Sequence, residues 1–144
     1  MQIGVRMTTV IERRRVFVVD DDENFRAAIQ LTLHDDYEAH ELASATETLA
    51  KAQQAPPDVL VLGEGVIRAN GLDLIQEFLA RMPKAKILVI VYQASSGFGQ
   101  ECVAAGAHGF LAKSLRVERI RDRVDALLSA PKISVSAPIA ALNA

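Results

Sequence analysis

Between residues 15 and 129 the sequence alternates short apolar runs with longer segments of helical period, and few architectures accept that pattern. The clearest runs are Val16-Phe17-Val18-Val19, Val59-Leu60-Val61-Leu62, Ile87-Leu88-Val89-Ile90-Val91 and Phe110-Leu111-Ala112. They are apolar at every position and mostly β-branched, which suits strands buried on both faces of a parallel sheet. A weaker run, Tyr37 to Leu42, alternates apolar with polar residues and reads as a sheet edge. Helical period is clearest after residue 116, where Val117, Ile120, Val124, Leu127 and Leu128 form one stripe among charged residues. The same spacing predicts a helix over 23–34, with Phe25, Ala28, Ile29, Thr32 and Leu33 inward, and one over 44–55 opened by Ser44 and Glu47 as a capping box. It predicts two more, over 71–81 with Leu72, Ile75, Phe78 and Leu79 inward, and over 98–105 closed by Gly106.

Five strands each followed by a helix imply right-handed crossovers between parallel strands. The predicted fold class is therefore α/β: a doubly wound five-stranded parallel sheet in a three-layer αβα sandwich, with ligands expected at the carboxyl ends of the strands. A chain of 144 residues, half of them apolar, supports one such domain. We place it at 15–129, with an N-terminal extension at 1–14 and an Ala/Pro/Ser-rich tail or linker at 130–144. A net charge of −2 lacks the basic footprint of a nucleic-acid binder, so no direct nucleic-acid contact is expected. No apolar run has the length of a membrane span, and Arg13-Arg14-Arg15 follows Val10-Ile11, the wrong order for a signal peptide. The lone Cys102 fits a reducing compartment, so the expected location is cytoplasmic.

The first strand runs into Asp20-Asp21-Asp22-Glu23. Four adjacent carboxylates repel and need a helix N-terminus, water or a cation to offset the cost. One reading is a helix cap with solvated neighbours. The other is a hard-cation site, because Mg²⁺ takes one or two carboxylates and completes its shell with water.

These residues, together with Pro57-Asp58 before the third strand, the Gly71-Leu72-Asp73-Leu74 helix start and the stretch Ala105-Gly106-Ala107-His108-Gly109-Phe110-Leu111-Ala112-Lys113, resemble the receiver domain of two-component response regulators. The resemblance implies a flavodoxin-like (βα)5 fold. It also implies an acidic pair that binds Mg²⁺, an aspartate after the third strand that accepts a phosphoryl group, a Thr or Ser after the fourth and a lysine after the fifth. Asp20 and Asp21 match the acidic pair, as a residual Mg²⁺ site, and Lys113 the lysine. Counting back from Gly71, the acceptor position is Gly63, which has no carboxylate; the hydroxyl position is Val91, followed by Tyr92 where the family has a small residue. Phe110 stands at the aromatic position of the fifth strand without a hydroxyl. The resemblance thus implies an atypical receiver with a degenerate pocket of Gly63, Glu64, Val91, Tyr92 and Lys113, in which Asp20, Asp21 and Lys113 still interact. Glu64 would need a bulge or loop shift to reach that pocket.

Lys113-Ser114 replaces the lysine-proline of many receivers, so a trans bond is expected. The same stretch is similar to receivers that carry LuxR-type helix-turn-helix output domains, which implies a DNA-binding domain outside this chain. The family's fourth helix, fifth strand and fifth helix form a contact face, which nominates Phe110, Arg116, Arg119 and Arg123 for a homodimer or partner interface. The expected function is a phosphorylation-independent, non-enzymatic signalling module that requires no cofactor and binds Mg²⁺ weakly if at all. Two alternatives stand beside it. A conventional phospho-accepting receiver would have to use Asp58 or Asp73, and a haloacid-dehalogenase-type phosphatase would use Asp20 and Asp22 but lacks a hydroxyl at Val91. His34, His40 and His108 have no metal-ligand spacing, and Cys102 reads as a buried apolar residue.

Overall fold

A computed structural model describes residues 13–114 and 116–129. Five strands, β1 (Arg15–Val19), β2 (Glu38–Leu42), β3 (Val59–Gly63), β4 (Lys86–Val91) and β5 (Gly109–Ala112), form one parallel sheet in the order β2-β1-β3-β4-β5. Around it lie helices α1 (Glu23–Leu33), α2 (Ala45–Gln54), α3 (Glu64–Asn70), α4 (Asp73–Arg81), α5 (Phe98–Ala104) and α6 (117–129). The doubly wound three-layer sandwich is the fold that the alternation implies.

Each central strand sends successive side chains to opposite layers. Phe17, Val19, Leu60, Leu62, Ile87 and Val89 face the layer of α2 to α5, where Ile75 and Phe78 are buried. Val16, Val18, Val59, Val61, Leu88 and Ile90 face α1 and α6, meeting Ile29, Leu33, Ile120 and Val124. Fully burying a side chain of this size contributes about 1.5–3 kcal/mol, so the continuous apolar runs dominate the stability of the fold.

The helix starts follow their caps. Asp22 caps α1 by accepting from the backbone N–H groups of Asn24 and Phe25, and Ser44 caps α2 by accepting from that of Glu47. Glu47 in turn accepts from the N–H of Ala43, one residue before the position a capping box uses. Ala28, expected inward, is exposed, because α1 rests on the sheet along Phe25, Ile29 and Leu33 at spacings of four.

The main departure is α3. The chain leaves β3 directly into a helix of seven residues where the sequence pattern predicts none, and the expected third helix becomes α4, joined to it through Gly71. Gly71 has φ +92°, a conformation that costs glycine least. The expected fourth and fifth helices are thus α5 and α6. Of the N-terminal extension only Arg13 and Arg14 are described, and Arg14 already takes part in the sheet end, its carbonyl accepting from Glu38 N–H at 2.9 Å. The tail at 130–144 lies outside the described residues. No peptide bond among the described residues is cis, so Lys113-Ser114 is trans.

Candidate functional site

The carboxyl ends of β1, β3, β4 and β5 bring together Asp20 to Asp22, Gly63 and Glu64, Val91 and Tyr92, and Lys113, which sequence separates by up to 93 positions. Asp20 continues β1, its N–H donating to Leu42 O at 3.1 Å. Its side chain turns inward and is only 4% exposed. Oδ1 accepts from Asp22 N–H at 2.8 Å and lies 3.7 Å from Lys113 Nζ. Burial pushes the Asp20 carboxyl up, against the Asp22 hydrogen bond and the Lys113 charge.

Lys113 reaches the cleft because its backbone is tied to β4, its N–H donating to Val91 O at 2.7 Å. Its ammonium donates to Asp22 Oδ2 at 3.2 Å and lies over the Phe25 ring at 4.6 Å and near the Tyr92 ring at 5.8 Å. Burial works against its charge, but the Asp22 and Asp20 carboxylates outweigh burial and hold its pKa above the ordinary value. Asp22, in turn, is held low first by the backbone N–H of Phe25 and then by Lys113. The ion cluster is therefore Asp20, Asp22 and Lys113. Lys113 thus takes Asp22 where Asp21 was expected; Asp21 is exposed, reaches the Asp20 carboxyl and sets its own carboxylate over Gly65. Asp22 serves as helix cap and ion-pair partner at once because its two oxygens divide those roles.

At Gly63 the structure shows more than a missing carboxylate. A Cβ there would stand 2.2 Å from Asp20 Oδ2 and 2.8 Å from its Cγ, so the Asp20 side chain occupies the space into which a residue at position 63 would project. Val91 is fully buried and apolar, leaving no hydroxyl at the end of β4 for the receiver or the phosphatase chemistry. Tyr92 is 48% exposed, with its hydroxyl 2.8 Å from where a Gly65 Cβ would lie.

Glu64 is re-aimed by the start of α3, not by a bulge. It is buried, accepts from Tyr92 N–H at 2.8 Å through Oε1 and pairs with Arg68 Nε at 2.6 Å through Oε2, so it bridges the ends of β3 and β4. The Arg68 guanidinium lies over the Phe98 ring at 4.2 Å. The spacing of Glu64 and Arg68, four apart, is the sequence signal for this pair once the segment is read as helix.

The remaining candidates sit elsewhere. Asp58 opens β3 at the opposite edge, where its carboxylate accepts from Arg15 N–H at 2.7 Å and faces Arg14; Asp73 is the exposed first residue of α4. Phe110 is half-buried with its ring against Gly99, and Arg123 lies along β5, its Nη1 3.0 Å from where a Gly109 Cβ would lie. Arg116 and Arg119 are exposed, and Arg116 pairs with Glu118 at 3.5 Å. The three histidines hold separate partners: Asp35 for His34, Glu38 for His40 and the Ile87 N–H for His108.

The matching family model is that of the response regulator receiver domain, over residues 16–125. The chain belongs to that family. Receivers are signalling modules of two-component systems. Among relatives, the chain is 32% identical to the DNA-binding transcriptional activator DevR/DosR of Mycobacterium tuberculosis, over 71% of its own length and 48% of the relative's. It is 29% identical to the chemotaxis protein CheY of Thermotoga maritima, over 78% and 95%. The solved structure of the chemotaxis response regulator CheY4 of Vibrio cholerae superposes with a TM-score of 0.71 at 28% identity, covering 79% of this chain and 98% of that one. Against the transcriptional regulators that head its curated relatives, this receiver spans about half the length.

Of the ligand set that the family implies for a divalent cation, the site keeps Asp20 and Asp21 but no carboxylate at position 63. Asp20 spends Oδ1 on Asp22 N–H and Lys113 and sets Oδ2 over Gly63, Gly63 offers no ligand, and among the described residues no three His, Cys, Asp or Glu side chains converge for a metal. Lys113 places a positive charge beside Asp20 and Asp22. Among the described residues no helix is long and apolar enough to cross a membrane.

Proposed function

We propose that this receiver works as a phosphorylation-independent, non-enzymatic signalling module, an atypical member of its family that requires no cofactor. One observation carries the reading: the Asp20 carboxylate fills the space beside Gly63 where an acceptor side chain would stand, 2.2 Å from its Cβ position. An acyl phosphate needs a carboxylate at that point with room on its open side, and here there is neither. The lysine that would hold a phosphoryl group is already bound to Asp22 and Asp20. Its signal is set by partner binding or abundance acting on a two-state scaffold.

Transcription-regulating relatives of about twice the matched length, one of them DNA-binding, support an output domain outside these residues, through which the receiver controls transcription. The exposed Arg116 and Arg119 on the α5-β5-α6 face suit a homodimer or partner contact, with Arg123 and Phe110 supporting that face from beneath. The similarity to CheY proteins favours one second reading, a conventional phospho-accepting receiver. Intact-mass measurement after incubation with Mg²⁺ and acetyl phosphate separates the two. The atypical reading expects no phosphoryl adduct on the native chain; an adduct mapping to one of its aspartates returns it to ordinary phosphorelay signalling.

A further inference from the structure

We propose that Glu64 is an internal latch that holds Tyr92 as a lid over the Asp20–Lys113 cluster. The idea rests on the reading of a filled pocket and says how that pocket is kept closed.

The geometry has three parts. First, Glu64 is the only charged residue in the run 59–67, and it is 4% exposed, so its carboxylate stays there only with partners for both oxygens. The Tyr92 N–H and Arg68 Nε are those partners, at 2.8 and 2.6 Å. Second, the Tyr92 bond is not part of the β-ladder, which ends with Gly63 opposite Ile90. It prolongs the β3–β4 contact past the last paired residues, at the level of the ion cluster. Third, the side chain of the residue so fixed lies across the cleft mouth: the Tyr92 hydroxyl sits over Gly65 beside the Asp21 carboxylate, and its ring is 5.8 Å from Lys113 Nζ. Gly65 makes this possible, because a Cβ there would stand 2.8 Å from the hydroxyl and 2.5 Å from Asp21 Oδ2. Arg68, packed on Phe98, ties the latch to the start of α5, so a partner bound at the α3–α5 surface has a physical route to the lid.

The test compares native protein with Glu64→Met, which keeps the volume of a buried side chain but no acceptor, and Glu64→Gln, which restores an acceptor oxygen. Two readouts are taken: amide hydrogen exchange at Tyr92, and acylation of Lys113 by an amine-reactive ester, followed by mass spectrometry. Glu64→Met is expected to speed exchange at Tyr92 about tenfold, the effect of losing one hydrogen bond of ordinary net strength. Lys113 labelling should rise several-fold with it, while core amides such as Val18 and Leu60 stay protected. Glu64→Gln should return Tyr92 exchange toward the native rate. Native-like exchange and labelling in Glu64→Met overturn the latch. Should that variant fail to fold, Tyr92→Ala decides the lid, since its side chain is half exposed: increased Lys113 labelling supports it and unchanged labelling overturns it. Neither readout involves a phosphodonor, so the latch and the phosphorylation-independent reading fail separately.

Discussion

Gly63→Ala adds a single methyl group, yet the structure makes it a large perturbation. The new Cβ stands 2.2 Å from Asp20 Oδ2 and 2.8 Å from Cγ, well inside contact distance, and the backbone is held at both residues, Gly63 by its pairing with Ile90 and Asp20 by its N–H bond to Leu42 O. Asp20 must rotate away. In doing so it gives up the Asp22 N–H bond of 2.8 Å and its approach to Lys113, while remaining a carboxylate in a 4% exposed site. Overpacking of this kind costs about 1–3 kcal/mol. A lost hydrogen bond to a charged group costs about 1.5–3 kcal/mol. The two overlap, so we expect about 2–4 kcal/mol in urea unfolding and a fall in Tm on the order of 10 °C. Asp20→Ala removes the obstacle, and in that background the added cost of Gly63→Ala should fall to within about 0.5 kcal/mol, giving a strong coupling in the double-mutant cycle. Gly65→Ala is the control. Its clashes are with the far ends of two exposed side chains, Asp21 and Tyr92, which can shift while the Tyr92 backbone stays held by Glu64, and alanine favours a helix by about 0.5–1 kcal/mol, so that variant should match or exceed native stability. Native-like stability of Gly63→Ala would refute the filled pocket.

Two further outcomes follow from single groups. The Arg15 hydrogen bond, with His40 beside it, holds Glu38 down to about 2; a lowered carboxyl contributes stability above its ordinary value and loses it as pH falls from about 4.5 to about 2, so Glu38→Gln should flatten that part of the acid-unfolding curve. Burial pushes the Cys102 thiol up to about 11, with Glu64 and Glu101 adding to the effect. Native protein should therefore resist a thiol-specific disulfide reagent at pH 8 and react on unfolding, whereas rapid native reaction would mean that α5 opens readily.

The sheet was legible because burial on both faces leaves unbroken apolar runs, whose strand length and β-branched residues set them apart from buried helix segments. β2 was legible for the opposite reason, since an edge strand alternates. The helix α3 escaped because its period is blurred by Gly65 and by only seven residues, too few for two full turns of a stripe. Missing that helix misplaced Glu64, which as a strand residue would point to the layer opposite Gly63's and as the first residue of a helix turns toward Tyr92. In the site, Asp20 and Lys113 could be placed from strand ends alone. The exchange of Asp21 for Asp22 could not, because it depends on which carboxylate caps α1 and which way the turn after β1 rotates. The filling of the space at Gly63 is a matter of ångströms that composition and spacing do not encode.

The two outer strands carry a last consequence. A parallel sheet with open edges is a template for further strands, from another copy or from a misfolded neighbour. Here β2 lines its outer edge with Glu38 and Glu41, each drawn back over the sheet by an ion pair, to Arg15 at 2.7 Å and Arg26 at 3.5 Å. An incoming backbone would have to strip these charges before pairing. At the other side β5 offers only four residues. Both margins of the sheet therefore discourage extension, which guards the core against edge-to-edge aggregation.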